Sequence, residues 1–183
     1  MYSKLPNVGI PIFSKMSQLA NKYNAINLAQ GFPDYDPPEL LIELLYKAAK
    51  SGQNQYAPMP GNIKLRENIA SHLFENYKVN INPDSQICIT AGATQAIYTA
   101  ISTIVNFGDR ILIFQPAYDS YSPAIQVNGG IPEYIKFKPE DFSIPWDELE
   151  HKIETQNIKA IIINNPHNPS GRIFKQEDYT RLN

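Results

Sequence analysis

Apolar positions along this chain obey two different patterns, and the change comes near residue 86. Residues 1–40 are weakly periodic and carry Pro6, Pro11, Pro33, Pro37 and Pro38, which predicts an irregular arm with a short apolar stretch at 25–29 that builds no core. A helix begins near Pro38, because Leu41, Leu44, Leu45, Ala48 and Ala49 share one helical face and Gly52 is placed to end it. Two prolines and a glycine make residues 55–61 a loop. Leu65, Ile69, Leu73 and Phe74 then predict a second helix over 64–77.

From residue 86 short apolar runs alternate with helical stretches. Strands are predicted at 86–90, 110–114, 131–137 and 160–164. Helices are predicted at 94–106, 118–127, 146–154 and after Phe174, with Ile97, Ala100, Ile101, Ile104 and Val105 as the inner face of the first. Strands that read as continuous apolar runs and alternate with helices indicate an α/β fold, a mostly parallel sheet with helices on both faces.

In such a sheet, ligands bind beyond the carboxyl ends of the strands. Three unusual loops fall there: Ala91-Gly92-Ala93-Thr94, Gln115-Pro116-Ala117-Tyr118, and Asn165-Pro166-His167-Asn168-Pro169-Ser170-Gly171. The first opens into a helix. Small residues there let an anion approach the free N–H groups at the positive end of the helix, and Thr94 adds a hydroxyl. A plain strand-to-helix turn with Thr94 as N-cap has the same sequence. The run has neither the lysine of a P-loop nor three spaced glycines. Tyr118 is a ring for stacking on a planar ligand, or a tyrosine packing its helix on the sheet. Asn168 is a fixed amide donor in a stiff loop, or an asparagine bonding the turn's own backbone. His167 beside it suits a supporting role. His72 and His151 read as solvated or satisfied, and no histidine has a partner at metal-ligand spacing. Asp34 and Asp36 read as turn residues.

Composition adds exclusions. A net charge of -2 without a basic stripe leaves nothing for nucleic acid to bind. Apolar runs such as 160–163 are too short to cross a bilayer, and residues 1–6 carry no secretory pattern. The single cysteine, Cys88, alternates with Ile87 and Ile89 and is expected in the core; one cysteine fits a reducing, cytoplasmic compartment.

Taken in order, Asn27-Leu28-Ala29-Gln30-Gly31-Phe32-Pro33-Asp34, Gln55-Tyr56-Ala57-Pro58, Thr90-Ala91-Gly92-Ala93-Thr94-Gln95-Ala96, Pro116-Ala117-Tyr118-Asp119-Ser120-Tyr121 and the Asn165–Gly171 run closely resemble class I/II aminotransferases of fold type I, within them the methionine aminotransferase and kynurenine–oxoglutarate transaminase group. The resemblance implies pyridoxal 5'-phosphate as cofactor, amino acids and 2-oxo acids as substrates, and a homodimer. It places Ala93 and Thr94 on the cofactor phosphate, Tyr118 on the pyridine ring and Asn168 on the phenolic oxygen. Gly31 would lie against the substrate carboxylate, and Tyr56 would reach the neighbouring subunit's phosphate. It divides the chain into an N-terminal arm or small-domain segment, 1–40, and the first part of the large cofactor-binding domain, 41–183.

The family is about twice as long as this chain, and its later half supplies the lysine that carries the cofactor and acts as base. None of the twelve lysines here matches that motif, so no catalytic residue is assigned and these 183 residues alone are expected to be inactive. Lys175 is the lysine nearest the rim and reads as a surface residue, and Arg172 reads as structural. A sheet cut midway would expose an apolar edge, which suggests a truncated or split protein. Two other activities share these motifs: a carbon–sulfur lyase of the same fold, and a non-catalytic ligand-sensing domain.

Overall fold

The computed structural model describes residues 2–31 and 33–183, so Phe32 of the first motif lies outside the described residues. The chain forms two compact units: Ile12–Ala91, and Gly92–Asn183 with Met1–Pro11.

The first unit holds three helices, α1 (Ile12–Tyr23), α2 (Glu39–Lys50) and α3 (Ile63–Tyr77). The helix α1 corrects the expectation of an arm without regular structure. Pro11 sits just ahead of its first turn, where proline costs no hydrogen bond, and Asn24 ends it in the left-handed region (φ 49°). Phe13, Ser17 and Ala20 form its half-buried face, a stripe too mixed in polarity to read as periodic. The helix α2 ends at Gly52 (φ 83°) as expected. In α3 the Asn62 side chain caps the first turn by accepting from Lys64 N at 2.9 Å. Arg66 is the buried side chain of this helix and donates to the carbonyls of Gly61 and Pro83.

Residues 87–90 do not form the expected strand. Among the described residues they join no ladder; Ile89 N donates to Pro60 O instead, at 3.0 Å. Without a sheet to bury alternate side chains, Cys88 is exposed, against the expectation that it belongs to the core.

The second unit runs α4 (Gly92–Ile104), β1 (Arg110–Gln115), α5 (Tyr121–Val127), β2 (Ile131–Lys136), α6 (Trp146–Thr155), β3 (Ile158–Ile162), α7 (Gln176–Leu182). The strands form one sheet in the order β2-β1-β3, both pairs parallel, with Ile111 opposite Pro132 on one side and Ala160 on the other. Residues 111–114 of β1 are buried, and strand geometry sends alternate side chains to opposite faces. Ile111 and Ile113 pack with Ile101 and Val105 at the end of α4 and with Tyr121, Ala124 and Ile125 of α5. Leu112 and Phe114 pack with Ile135, Phe137, Ile144, Leu149 and Phe174 on the other face. The sheet is thus covered on both sides, as a parallel sheet requires. Of the expected α4 face, Ile101 and Val105 are buried and Ile97 is half-buried, whereas Ala100 is exposed and Ile104 is about half exposed, at 49%. Glu133 on β2 ties the layers by accepting from Arg110 of β1 and from Lys152 of α6.

Candidate functional site

Because β1 and β3 are parallel neighbours, their carboxyl ends share one rim, and residues 116–120 and 163–171 leave from it. The first of these loops meets the start of α4 directly: the Thr94 and Tyr118 hydroxyls lie 3.2 Å apart. Tyr118 is held at both ends. Its ring meets Tyr121 edge-on at 5.8 Å and 75°, and its carbonyl accepts from Tyr121 N at 3.3 Å. Burial pushes the Tyr121 phenol above its usual range, with Tyr118 adding to the effect, so the wall behind Tyr118 is uncharged.

At α4, Gly92 adopts φ 81°, a conformation that favours glycine, and the space where a Cβ would sit is open to 4 Å. Ala93 and Thr94 follow in the first turn, where backbone N–H groups point away from the helix and the dipole favours an anion. A phosphate, a flat ring and one oxygen acceptor are matched here by a helix start with a hydroxyl, an aromatic side chain and an amide. These residues fit a phosphorylated, planar ligand.

The amide comes from the second loop. Asn168 N donates to Asn164 Oδ1 at 2.7 Å, while its side chain is exposed and makes no hydrogen bond among the described residues. A tight hairpin holds it there: His167 N donates to Arg172 O (2.8 Å) and Gly171 N to His167 O (2.7 Å). Asn165 pins the base of the loop, accepting from Phe174 N at 3.0 Å and donating to the Tyr179 hydroxyl at 3.0 Å. His167 is buried, 2.8 Å from Ser170 Oγ through Nδ1 and edge-on to Phe137 at 4.9 Å. Burial, then the Arg172 cation, hold its pKa below 6.5, so it is a neutral buttress. Arg172 donates to Phe142 O (2.8 Å) and Asp178 Oδ2 (2.9 Å). Its structural reading holds, but its place beneath the Asn168 loop had no sequence signal. Lys175 heads α7, exposed.

Gly31 and Tyr56 belong to the other unit. Asn27 and Gln30, just before Gly31, are tied to α1 through Ser17: Asn27 Nδ2 donates to Ser17 Oγ and Ser17 Oγ to Gln30 Oε1, both at 3.0 Å. The Gly31 backbone is open on its Cβ side, and Tyr56 is fully exposed. Among the described residues no group of three or more His, Cys, Asp or Glu side chains is placed to hold a metal, and no helix is long and apolar enough to cross a membrane.

The chain is an α/β protein whose parallel sheet sends the Tyr118 and Asn168 loops out from one carboxyl rim, with the start of α4 against Tyr118. Residues 23–183 match the family "Aminotransferase class I and II", and the chain belongs to that family, whose members depend on pyridoxal phosphate. It is 44% identical over 180 residues to a methionine aminotransferase of Escherichia coli, covering 98% of this chain and 46% of that protein. It is 34% identical over 190 residues to a kynurenine–oxoglutarate transaminase of Dictyostelium discoideum, covering 95% and 43%. Among solved structures, a methionine aminotransferase from Escherichia coli superimposes with a TM-score of 0.93 at 44% identity, over 100% of this chain and 47% of that one. The chain therefore spans under half the length of these relatives.

Proposed function

We propose that the whole protein is a pyridoxal-phosphate-dependent aminotransferase that moves an amino group from methionine-like or aromatic amino acids to a 2-oxo acid, working as a cytoplasmic homodimer. The observation that carries this reading is the 3.2 Å approach of the Thr94 and Tyr118 hydroxyls, which joins a phosphate cradle to a ring platform. When bound, the cofactor supplies an electron sink for the bond broken at the substrate's Cα. The chain's own residues hold and orient. The first turn of α4, with Ala93 and Thr94, takes the phosphate; Tyr118 stacks on the pyridine; Asn168 donates to the phenolic oxygen. Gly31 leaves its backbone open for the substrate carboxylate, and Tyr56 extends toward a second subunit. Residues 1–40 are assigned to an arm or small-domain segment and 41–183 to the large domain. The proton transfer needs a basic lysine, which this reading places outside the 183 residues.

The test has two arms. Mixed with pyridoxal phosphate and borohydride, this chain is expected to give no adduct at a specific lysine; one reproducibly labelled lysine would overturn its assignment as a holding half. In the whole protein, methionine consumption is expected to match 2-oxo acid and new amino acid one for one, whereas ammonia and pyruvate from a cysteine thioether would mark a lyase. Thr94→Val, which removes a hydrogen bond to a charged phosphate, is expected to weaken cofactor retention roughly tenfold or more by equilibrium dialysis.

A further inference from the structure

We propose that Arg172 is the positioning residue that sets the direction of the Asn168 side chain, acting through the His167–Arg172 hairpin. The inference rests on the functional reading above, because only a ligand at the rim makes that direction matter.

Arg172 ties its own hairpin to Phe142, thirty residues earlier in the chain, and to Asp178 on α7, six residues further on. Its carbonyl accepts His167 N and closes the hairpin that carries Asn168 at its tip. Its guanidinium lies against Phe137 (5.6 Å) and Phe174 (5.5 Å), donates to Phe142 O ahead of α6, and donates to Asp178 on α7. Asp178 is buried and uses the same oxygen to accept Lys175 N at 2.9 Å, so the pair also caps α7. The fork is planar and rigid, and two of its nitrogens are committed to different segments. Stability alone does not call for a charged pair here. Apolar side chains of similar volume at both positions are often neutral or stabilising, although removing Arg172 by itself leaves the buried Asp178 carboxylate uncompensated, and Arg172 Nε is buried with no hydrogen-bond partner among the described residues. What an apolar replacement cannot do is fix the hairpin's angle against both Phe142 and α7. The ring of Phe137 is shared as well: Arg172 lies against it and the buried His167 meets it edge-on, so movement of the guanidinium reaches the residue next to Asn168.

The experiment uses the whole protein, first without cofactor, and compares wild type with Arg172→Met and Asp178→Asn. Amide exchange at His167 and Gly171 is expected to accelerate about tenfold or more in both variants, as loss of a charge-assisted bond implies, while amides of β1 stay unchanged. With cofactor bound, the pH midpoint of its visible absorbance is expected to move in Arg172→Met in the same direction as in Asn168→Ala, by less, and the double variant is expected to match Asn168→Ala alone. Unchanged exchange at His167 and Gly171, or acceleration spread evenly into β1, overturns the proposal. If Asn168→Ala itself leaves the midpoint where it was, the functional assignment of Asn168 fails and takes this inference with it, a result identifiable because the silent variant is then Asn168→Ala. Should Arg172→Met fail to fold, Asp178→Asn carries both readouts.

Discussion

The two units of this chain differ in how much of their apolar surface they bury for themselves. In the Gly92–Asn183 unit β1 feeds two separate cores, and Leu112, Ile125, Ile135 and Leu149 are wholly buried. In the Ile12–Ala91 unit, among the described residues, only Gly61 and Arg66 are buried. Its α2 keeps Glu39, Glu43, Lys47 and Lys50 on one stripe and apolar side chains around the rest, yet Leu40, Leu41, Ile42, Leu44, Leu45 and Tyr46 are each more than half exposed. An amphipathic helix with so wide an apolar face is characteristic of one that packs against another layer. The contrast teaches that a parallel sheet with helices on both faces completes its own core locally, whereas helices joined by proline-rich loops depend on what packs against them.

The largest expected break in this comparison comes from paired truncations. Leu112→Ala removes a fully buried side chain and is expected to cost about 3–4 kcal/mol in urea unfolding of the chain, while Leu44→Ala on α2 costs under about 0.5 kcal/mol. A similar cost for both would erase the distinction. Next come two glycines. A Cβ at Gly130 would lie 2.6 Å from Val105 Cγ1 and 2.8 Å from Ile125 Cγ2, so Gly130→Ala is expected to lose about 1–3 kcal/mol and lower Tm. At Gly61, φ is 98° and a Cβ would run into the Ile89 side chain. Gly61→Ala is expected to leave Tm nearly unchanged and to speed proteolysis within residues 12–91. The smallest effect is His167's. Its pKa lies below 6.5 in the folded chain, so below 6.5 the unfolded chain takes up a proton that the folded one refuses. Stability should therefore fall as the pH drops below that value, with a slope from this group of at most about 1.4 kcal/mol per pH unit, and His167→Phe should flatten it.

Much of the self-sufficient unit was legible in the sequence because burial on both faces leaves continuous apolar runs. The strands β1 and β2 fall within one residue of expectation. The strand β3 begins two residues early, since Lys159 interrupts the apolar pattern without breaking the ladder. The helix α1 was hidden behind its prolines and its mixed face. Residues 86–90 misled because alternation reports a preference for extended backbone but not whether a neighbouring strand is there to pair with. At the site, short-range motifs marked Thr94, Tyr118 and Asn168. The group of Arg172, Asp178, Phe142 and His167 left no such mark, because its members meet only through the folded loop and none of them is unusual alone.

The strand order has a consequence in time as well as in space. Ile111 meets Pro132 across one short helix, but meets Ala160 only after a path more than twice as long. Closing the nearer loop costs less chain entropy, and it can happen while the later residues are still emerging from synthesis. On that schedule the ring of Tyr118 is set when β1 and α5 come together, and the asparagine loop arrives last, docking onto a platform that is already built.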